Sequence, residues 1–360
     1  MRSLPTTRPT RSAQTACHFI TALAALALLV PASPLAADDA VVRGNAAAEL
    51  AETFPDPPRG YDTRLDVIQA IGAGAVPIVN IAPVTPDDVI IKQNIVYGMG
   101  GEHELKLDLY RPAEQNGVVP GLIFVHGGGW SGGAKKDYRF YGLHFARLGY
   151  VVVSIDYRLS GVAKYPAAVE DTKCAVRWMR ANAEELGVDP NRIGIAGGSA
   201  GGHLSLMIGL SSGVPELEGT GGHADQSSRV QAVVDLYGPA DLTTDFAREN
   251  ENAIKLLKRF LGSTLDENVP LYQQASPITY VDANDPPVLM LHGTIDEVVP
   301  VNQSDLLAAA LEKAGVPYIY DRLPGWPHAM DIAKPVNDRC VWFMERFFAK
   351  YLEGPAPTEN

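Results

Sequence analysis

Apolar residues along this chain follow two different periods, and the change between them predicts its secondary structure. Apolar and polar residues alternate over Val89–Tyr97 and Glu104–Tyr110, which is typical of half-buried strands, and Gly98–Gly101 between them predicts a hairpin turn. Short, mostly β-rich apolar runs then predict strands buried on both faces: Val118–Val125, Tyr150–Ile155, Arg192–Ala196, Val230–Leu236, Pro287–Leu291 and Tyr318–Leu323. Helical spacing occurs in the intervening segments Tyr138–Leu148, Ala167–Leu186, Gly201–Leu210, Gln303–Ala314 and Pro335–Tyr351. This alternation predicts an α/β fold, with a mostly parallel sheet of about eight strands and helices on both faces.

The same patterns divide the chain into segments. Residues 38–88 form an N-terminal arm with helical spacing over Asn45–Thr53 and Asp62–Ile71, and residues 89–353 form the main domain. An insertion around residues 241–280 follows a strand end and contains a predicted helix, Asn252–Phe260, so we expect it to cap a site at that edge of the sheet. Residues 354–360 are predicted to be a flexible tail.

Residues 1–37 have the composition of an export signal. Three arginines without an acidic residue precede an apolar stretch, Phe19–Val30, and small residues precede Asp38. The alternative is an N-terminal anchor that is not cleaved. We expect export to the periplasm or secretion, and no stable membrane association after signal removal, because no later run approaches about 20 apolar residues.

Charge and cysteine content restrict the partners and the redox chemistry. Loss of residues 1–37 would change the net charge from −12 to −15, because that segment holds three arginines and no acid. Such an acidic protein is a poor partner for nucleic acid. Cys174 and Cys340 lie on helices predicted to cover opposite faces of the sheet, so we expect two buried thiols and no disulfide.

An apolar run ends abruptly in Gly197-Gly-Ser-Ala-Gly201, a G-x-S-x-G pattern. The pattern predicts a strand, a sharp turn and a helix start, with the hydroxyl of Ser199 raised above the sheet as a candidate nucleophile. A plain glycine-rich turn is the alternative in a chain with 34 glycines. The residues that follow decide between the two.

A serine hydroxyl needs a base within hydrogen-bond reach, and the base needs a third group to orient it. Asp296 lies just past the strand that ends in Leu291, and His328 lies past the next helix and strand. The order Ser199, Asp296, His328 is that of α/β-hydrolases. The predicted catalytic triad is therefore Ser199, His328 and Asp296, with Glu297 and Asp331 as nearby alternatives for the acid.

A glycine run follows Val118–Val125, which is the third predicted strand when the two hairpin strands are counted. His126-Gly-Gly-Gly-Trp130 lets the backbone approach a ligand closely, and the N–H groups of Gly128, Gly129 and Ala200 are predicted to form an oxyanion hole. A phosphate-binding loop is disfavoured because the Lys-Ser/Thr pair of that motif is missing.

The remaining candidates receive smaller roles. His126 is expected to support the glycine loop, His203 to pack, and Asp156 to pair with Arg158. The candidate substrate-binding walls are Trp130, Tyr237 and Trp326, although aromatic residues at such positions also serve as core. We expect no cofactor and no metal, since the histidines lack metal-ligand spacing.

Taken together, six motifs resemble the α/β-hydrolase esterases, in particular a bacterial branch related to feruloyl and acetylxylan esterases, near the hormone-sensitive-lipase-like group. They are His126-Gly-Gly-Gly-Trp130, Asp156-Tyr-Arg-Leu159, Tyr165-Pro-Ala167, Gly197-Gly-Ser-Ala-Gly-Gly-His-Leu204, Leu291-His-Gly-Thr294 and Pro324-Gly-Trp-Pro-His328. The resemblance covers about Ile95–Tyr351. Gly198 stands where the hormone-sensitive-lipase pattern favours an acidic residue, which favours the feruloyl and acetylxylan branch.

This resemblance implies a serine carboxylesterase that acts on short-acyl or aromatic esters. Plant cell-wall acetyl or feruloyl esters, small or linked to polysaccharide, are the favoured substrates. An amide-bond hydrolase of the arylformamidase or peptidase type is the first alternative, and a non-catalytic binding protein is the second. The resemblance does not reach residues 38–88, and the sequence does not indicate an oligomeric state.

Overall fold

Nine strands form a single mixed sheet in the computed structural model, which describes residues 41–51 and 53–358. The strands are β1 Val41–Arg43, β2 Val89–Gly100, β3 His103–Pro112, β4 Val119–Val125, β5 Val151–Ile155, β6 Val188–Gly198, β7 Ala232–Leu236, β8 Val288–Gly293 and β9 Tyr318–Leu323. Their order across the sheet is β1-β9-β8-β7-β6-β4-β5-β3-β2. The strands from β4 to β9 pair in parallel with one another, whereas β2, β3 and β1 pair antiparallel with their neighbours. The prediction of a mostly parallel α/β sheet with a leading hairpin is confirmed.

Strand β1 is the addition to the eight predicted strands. It comes from the N-terminal arm and pairs with β9, where Val42 is opposite Asp321. The Asn45 side chain extends this contact, since it donates to Val316 O at 3.0 Å and accepts the N–H of Tyr318 at 3.0 Å. A strand of three residues is too short to show an alternating pattern, so sequence periodicity predicts only helices in the arm.

Helices cover both faces of the sheet. In chain order they are α1 Ala47–Leu50, α2 Arg64–Gly72, α3 Arg139–Arg147, α4 Ala167–Ala181, α5 Ala183–Leu186, α6 Ala200–Leu210, α7 Phe246–Glu249, α8 Glu251–Leu261, α9 Val269–Gln274, α10 Asn302–Ala314 and α11 Lys334–Tyr351. One hydrophobic core packs α4, α6, α8 and α10 against the sheet, and a second packs α2, α3 and α11 against the opposite face. Cys174 lies in the first core and Cys340 in the second, both as free, buried thiols.

The insertion between β7 and β8 holds three helices, α7, α8 and α9. Helix α8 begins after Asn250, whose side chain accepts the N–H groups of Asn252 and Ala253 and so satisfies two donors at the helix start. Its buried residues repeat at helical spacing on one face: Ala253, Leu257, Phe260 and Leu261. Helix α8 therefore packs down onto the domain as a fixed cap.

The described part of the C-terminal tail does not extend freely into solvent. Thr358 donates through its N–H and its hydroxyl to Glu345 Oε2, at 2.8 and 2.7 Å. The carboxylate of Glu345 is buried, and buried acceptors need donors. The flexible tail stays a prediction, and the structure adds that Thr358 is hydrogen-bonded to Glu345. The predicted signal segment, residues 1–37, lies outside the described residues.

Candidate active site

Ser199 lies at a sharp turn between β6 and α6. Its backbone angles are φ 57° and ψ −122°, a conformation that residues with a Cβ rarely adopt. Neighbouring glycines make the turn possible: a Cβ atom at Gly197 would lie 2.4 Å from Gly201 O, and one at Gly201 would lie 2.0 Å from Val125 O. The backbone is thus packed tightly under the serine, and the Ser199 side chain remains partly accessible.

The structure brings Ser199, His328 and Asp296 into one hydrogen-bonded line. Ser199 Oγ lies 2.9 Å from His328 Nε2, and His328 Nδ1 lies 2.6 Å from Asp296 Oδ2. Because a carboxylate can only accept, Nδ1 carries the proton and Nε2 is left to accept from the serine hydroxyl. This is the arrangement that converts a serine hydroxyl into a nucleophile.

Asp296 is held by more than His328. Its Oδ1 accepts the N–H groups of Val298 at 2.8 Å and Val299 at 2.9 Å, and His292 Nε2 lies 3.3 Å from Oδ2. Burial alone would raise the pKa of Asp296, but the charge of His328 and the hydrogen bonds from His292 and His328 lower that pKa well below its usual range. The carboxylate is therefore ionised throughout the neutral range.

The two alternative acids occupy other positions. Glu297 is largely exposed and forms an ion pair with Arg64 at 3.0 Å. Asp331 is buried, and its hydrogen bonds within the described part of the chain come from Tyr237 and Tyr141. Of the three carboxylates, Asp296 is thus the one within hydrogen-bond distance of His328 Nδ1.

The glycine loop after β4 crosses directly above Ser199. A Cβ atom at Gly127 would lie only 3.4 Å from Ser199 Cβ, and Gly128 and Gly129 adopt positive φ angles of 106° and 59°. In residues 41–51 and 53–358, the N–H groups of Gly128, Gly129 and Ala200 have no hydrogen-bond acceptor. These three N–H groups are therefore free to donate to a ligand, as the donors of an oxyanion hole must be.

His126 supports this loop from below. Its ring stacks on Tyr157 with centroids 4.4 Å apart, its Nδ1 lies 2.7 Å from Gly127 O, and its carbonyl accepts the Tyr157 hydroxyl at 3.1 Å. Burial lowers the pKa of His126, so its ring is neutral at physiological pH. His203, likewise buried, accepts the indole N–H of Trp130 at 3.2 Å and donates to Ala275 O at 2.7 Å.

Of the three predicted substrate-binding aromatics, Tyr237 comes nearest to the reacting groups. The Tyr237 ring meets His328 edge-on at 4.9 Å, and its hydroxyl donates to Asp331. Trp130 stacks on Phe260 of α8 at 4.4 Å and is nearly buried. These two residues support the histidine and the glycine loop, respectively.

Trp326, in contrast, is fully buried and has no surface that could line a pocket. It is 1% exposed and covered by the arm, with its indole N–H 3.4 Å from Pro58 O and its ring 5.6 Å from Tyr61. We therefore correct its predicted role from pocket wall to packing. The physical reason is a contact across more than 260 residues, which local sequence does not encode.

The predicted Asp156–Arg158 ion pair is also wrong. Arg158 instead binds Asp171 of α4, with Nη2 to Oδ1 at 2.7 Å, and also Glu170. Asp156 accepts the N–H of Lys135 at 2.7 Å. The buried carboxylate of Asp171 offers the guanidinium two oxygens, which is a stronger interaction than an exposed local pair.

Leu256 of α8 is a site residue that sequence reasoning missed. A Cβ atom at Gly129 would lie 2.9 Å from Leu256 Cδ2, so this leucine contacts the glycine loop beside the free N–H of Gly129. Helix α8 is fixed at both ends: Asn250 Nδ2 donates to Glu297 O at 3.3 Å, and Phe260 stacks on Trp130. The cap thus spans from the loop of Asp296 to the glycine loop.

Residues 41–51 and 53–358 contain no cluster of three or more His, Cys, Asp or Glu side chains arranged to hold a metal ion. None of their helices is both long enough and apolar enough to span a membrane.

Comparison with known proteins places this geometry in a family. The BD-FAE family model matches residues 107–311, a segment that includes Ser199 and Asp296. Esterase LipQ of Mycobacterium tuberculosis is 37% identical over 256 residues, which are 69% of this chain but only 59% of that protein. The chain therefore spans less than two thirds of this relative's own length.

Solved structures agree with the sequence relatives. A truncated carbohydrate esterase from gut microbiota is 29% identical with a TM-score of 0.63, and the match covers 74% of this chain and 99% of that one. Native esterase 2 of Thermogutta terrifontis is also 29% identical with a TM-score of 0.63, and covers 78% and 98% of the two chains. With a family match over more than half of its length and a fold shared with these esterases, the chain belongs to the BD-FAE family and has the α/β-hydrolase fold.

Proposed function

We propose that this protein is an exported serine carboxylesterase that hydrolyses short-acyl or aromatic esters. The observation that carries the proposal is the line of hydrogen bonds from Ser199 through His328 to Asp296, at 2.9 and 2.6 Å, and the three N–H groups that have no acceptor support it. Relatives named as esterases or as a carboxylic ester hydrolase support it.

In the acylation step, Ser199 Oγ attacks the ester carbonyl carbon while His328 Nε2 takes the serine proton. The carbonyl oxygen becomes an oxyanion that accepts hydrogen bonds from Gly128, Gly129 and Ala200. Removal of one such donor typically costs about 10²- to 10³-fold in rate. The carbon–oxygen bond to the alcohol then breaks, and His328 returns its proton to the leaving oxygen.

Deacylation repeats these steps with water. His328 takes a proton from water, the hydroxide attacks the acyl-enzyme carbonyl, and the same three N–H groups hold the second oxyanion. Ser199 then leaves with the proton of His328, and the carboxylic acid is released. Asp296 stabilises the imidazolium that forms in both steps, without itself taking a proton.

Leu256 supports a preference for short acyl groups. The leaving oxygen must face His328 Nε2 to receive its proton, so the acyl chain extends away from His328, along the glycine loop and towards α8. Leu256 stands there, in contact with Gly129. Esterase 2 of Thermogutta terrifontis is known in a butyrate-bound form, which agrees with a short acyl pocket.

The alcohol side and the location are further parts of the proposal. The fold neighbour described as a carbohydrate esterase supports carbohydrate-linked esters as substrates. The resemblance to feruloyl and acetylxylan esterases makes acetyl or feruloyl esters of plant cell-wall polysaccharide the favoured ones. Export rests on the composition of residues 1–37 and suits such extracellular substrates.

Initial rates on p-nitrophenyl acetate, butyrate and octanoate and on a ferulate ester test the proposal. Ser199→Ala should lower kcat by at least about 10⁴-fold, because a serine nucleophile cannot be replaced by its neighbours. Ser212→Ala, a half-buried serine beyond the end of α6, should keep the wild-type rate. Turnover that survives Ser199→Ala, or faster cleavage of a matched amide than of the ester, would contradict the esterase assignment.

A further inference from the structure

The N-terminal arm contacts the loop that carries His328 on both sides of that histidine. We define the histidine loop as residues 324–333, which connect the end of β9 to the start of α11. The arm precedes residue 107, where the family match begins, and the histidine loop follows residue 311, where it ends. Both sides of this contact therefore lie outside the segment that the family model matches.

Before His328, the two backbones touch directly. The N–H of Tyr61 donates to Gly325 O at 2.9 Å. A Cβ atom at Gly60 would lie 2.3 Å from Pro324 O, and one at Gly325 would lie 2.4 Å from Tyr61 N. The close approach therefore needs glycine in both chain segments, at positions 60 and 325. The Tyr61 ring adds an edge contact to Trp326.

After His328, a second backbone contact closes the loop. The N–H of Val79 donates to Ile332 O at 2.9 Å, and the N–H of Lys334 donates to Pro77 O at 2.8 Å. Ile78 and Ala333 form an isolated antiparallel bridge between these bonds. His328 thus lies in a span of about eight residues whose two ends are both fastened to the arm.

Between these two contacts the arm also reaches the loop of Asp296. Helix α2 begins at Arg64 with a capping box formed by Thr63 and Asp66, and it buries Val67. Arg64 Nη1 lies 3.0 Å from Glu297 Oε1, one residue from the acid of the triad. An ion pair at a partly exposed position adds little energy, but it ties both loops to the same helix.

Placement of the histidine is demanding. Both hydrogen bonds of His328 must hold at once, and the next residue, Ala329, has a positive φ of 57°. A misplacement of about 1 Å can cost about 10²-fold in rate. We propose that residues 53–88 are a positioning element that holds His328 in line with Ser199 and Asp296, an inference that rests on the proposed esterase function.

Gly60→Ala tests this inference, with Gly72→Ala as the matched control. The new Cβ at position 60 must move from 2.3 Å to beyond about 3.2 Å from Pro324 O, so the arm and the histidine loop must separate by about 1 Å at this point. Gly72 lies in the same arm at the end of α2, and a Cβ there meets no atom within 4 Å. We expect Gly60→Ala to lower kcat about 10- to 100-fold at nearly unchanged KM, and Gly72→Ala to keep both values.

Rates are compared per active site, titrated with a fluorophosphonate at long reaction times, so that a loss of folded protein is not counted as a loss of catalysis. A purely structural arm would lower the melting temperature of Gly60→Ala while leaving kcat per active site unchanged, and that result overturns the proposal. If Gly60→Ala does not fold, Tyr61→Leu replaces it, because it keeps the backbone contact to Gly325 and removes the ring contacts to Trp326 and Arg59. A kcat equal to wild type in that variant also overturns the proposal.

Failure of the esterase assignment gives a different result. It shows as ester turnover that does not depend on Ser199 in the wild-type protein and in Gly72→Ala alike. In that case the rate of Ser199 phosphonylation by the fluorophosphonate replaces kcat, since this reaction also needs His328 as the base. A 10- to 100-fold slower phosphonylation of Gly60→Ala then supports the arm as a positioning element, and an equal rate overturns it.

Discussion

Replacement of Leu256 by alanine should lengthen the acyl chain that the protein accepts. Leu256 Cδ2 is the nearest atom to a Cβ placed on Gly129, at 2.9 Å, so its isobutyl group occupies the space beside Gly129, one of the proposed oxyanion donors. Truncation to alanine removes three carbons from that space. The cost in unfolding free energy should be small, because Leu256 is only half-buried on the flank of α8.

The expected change in kcat/KM follows from the number of carbons that the substitution removes. Each buried methylene contributes about 0.8 kcal/mol, which is about fourfold in kcat/KM. Three additional methylenes in the vacated space give at most about 60-fold. We therefore expect the kcat/KM ratio of hexanoate to acetate ester to rise about 10- to 60-fold, and the acetate value to stay within about threefold of wild type.

The assay is a series of p-nitrophenyl esters from acetate to octanoate. Ile254→Ala is the matched control, since Ile254 is a half-buried aliphatic residue of α8 two positions earlier and therefore on the opposite flank of the helix. Leu256→Phe should act in the opposite direction and depress butyrate more than acetate. An unchanged ratio in Leu256→Ala, or an equal change in Ile254→Ala, would refute the placement of the acyl chain against Leu256.

Two further predictions concern the carboxylates. Asp296→Asn should lower kcat on the order of 10³- to 10⁴-fold, because an amide at position 296 no longer fixes the tautomer of His328. The control is Asp266→Asn, which changes an exposed pair with Arg248 and should leave kcat unchanged. Equal rates in both variants would exclude Asp296 as the acid. Asp235 is buried with one oxygen unpaired, and burial raises its pKa to about 7, so the native protein retains a proton that the unfolded chain releases above about pH 4. The free energy of unfolding should therefore fall between about pH 4 and pH 7, by at most about 4 kcal/mol. Urea unfolding of Asp235→Asn should show a smaller change of this free energy with pH over the same range. An equal change in the variant and the wild type would assign the pH dependence to another group.

The sequence alone predicts those parts of the site that local structure encodes. Ser199 is found because small residues around a sharp turn follow an apolar strand, and His328 because it follows the last strand of a regular alternation. The free N–H groups of Gly128 and Gly129 are likewise expected from a glycine run at a strand end. In each case the necessary information lies within about ten residues.

What the sequence does not predict depends on contacts between distant residues. Trp326 looks like a pocket wall until Pro58 and Tyr61 cover it. Arg158 binds the buried Asp171 rather than Asp156, which is two residues away along the chain. This pairing depends on how α4 packs. Leu256 is one of several apolar residues of an amphipathic helix, and only the helix's position over Gly129 distinguishes it.

The two outer strands of the sheet differ in a way that affects how the protein behaves at high concentration. On one side β2 has register shifts between Lys92 and Ile95 and between Val96 and Gly98, and such bulges bend a strand out of the plane in which another sheet could dock. On the other side the regular backbone of β9 is covered by the three residues of β1. Very short edge strands are one way in which sheets avoid pairing with one another, so a truncation that removed Val41–Arg43 is expected to uncover the backbone of β9 and to promote sheet-to-sheet aggregation.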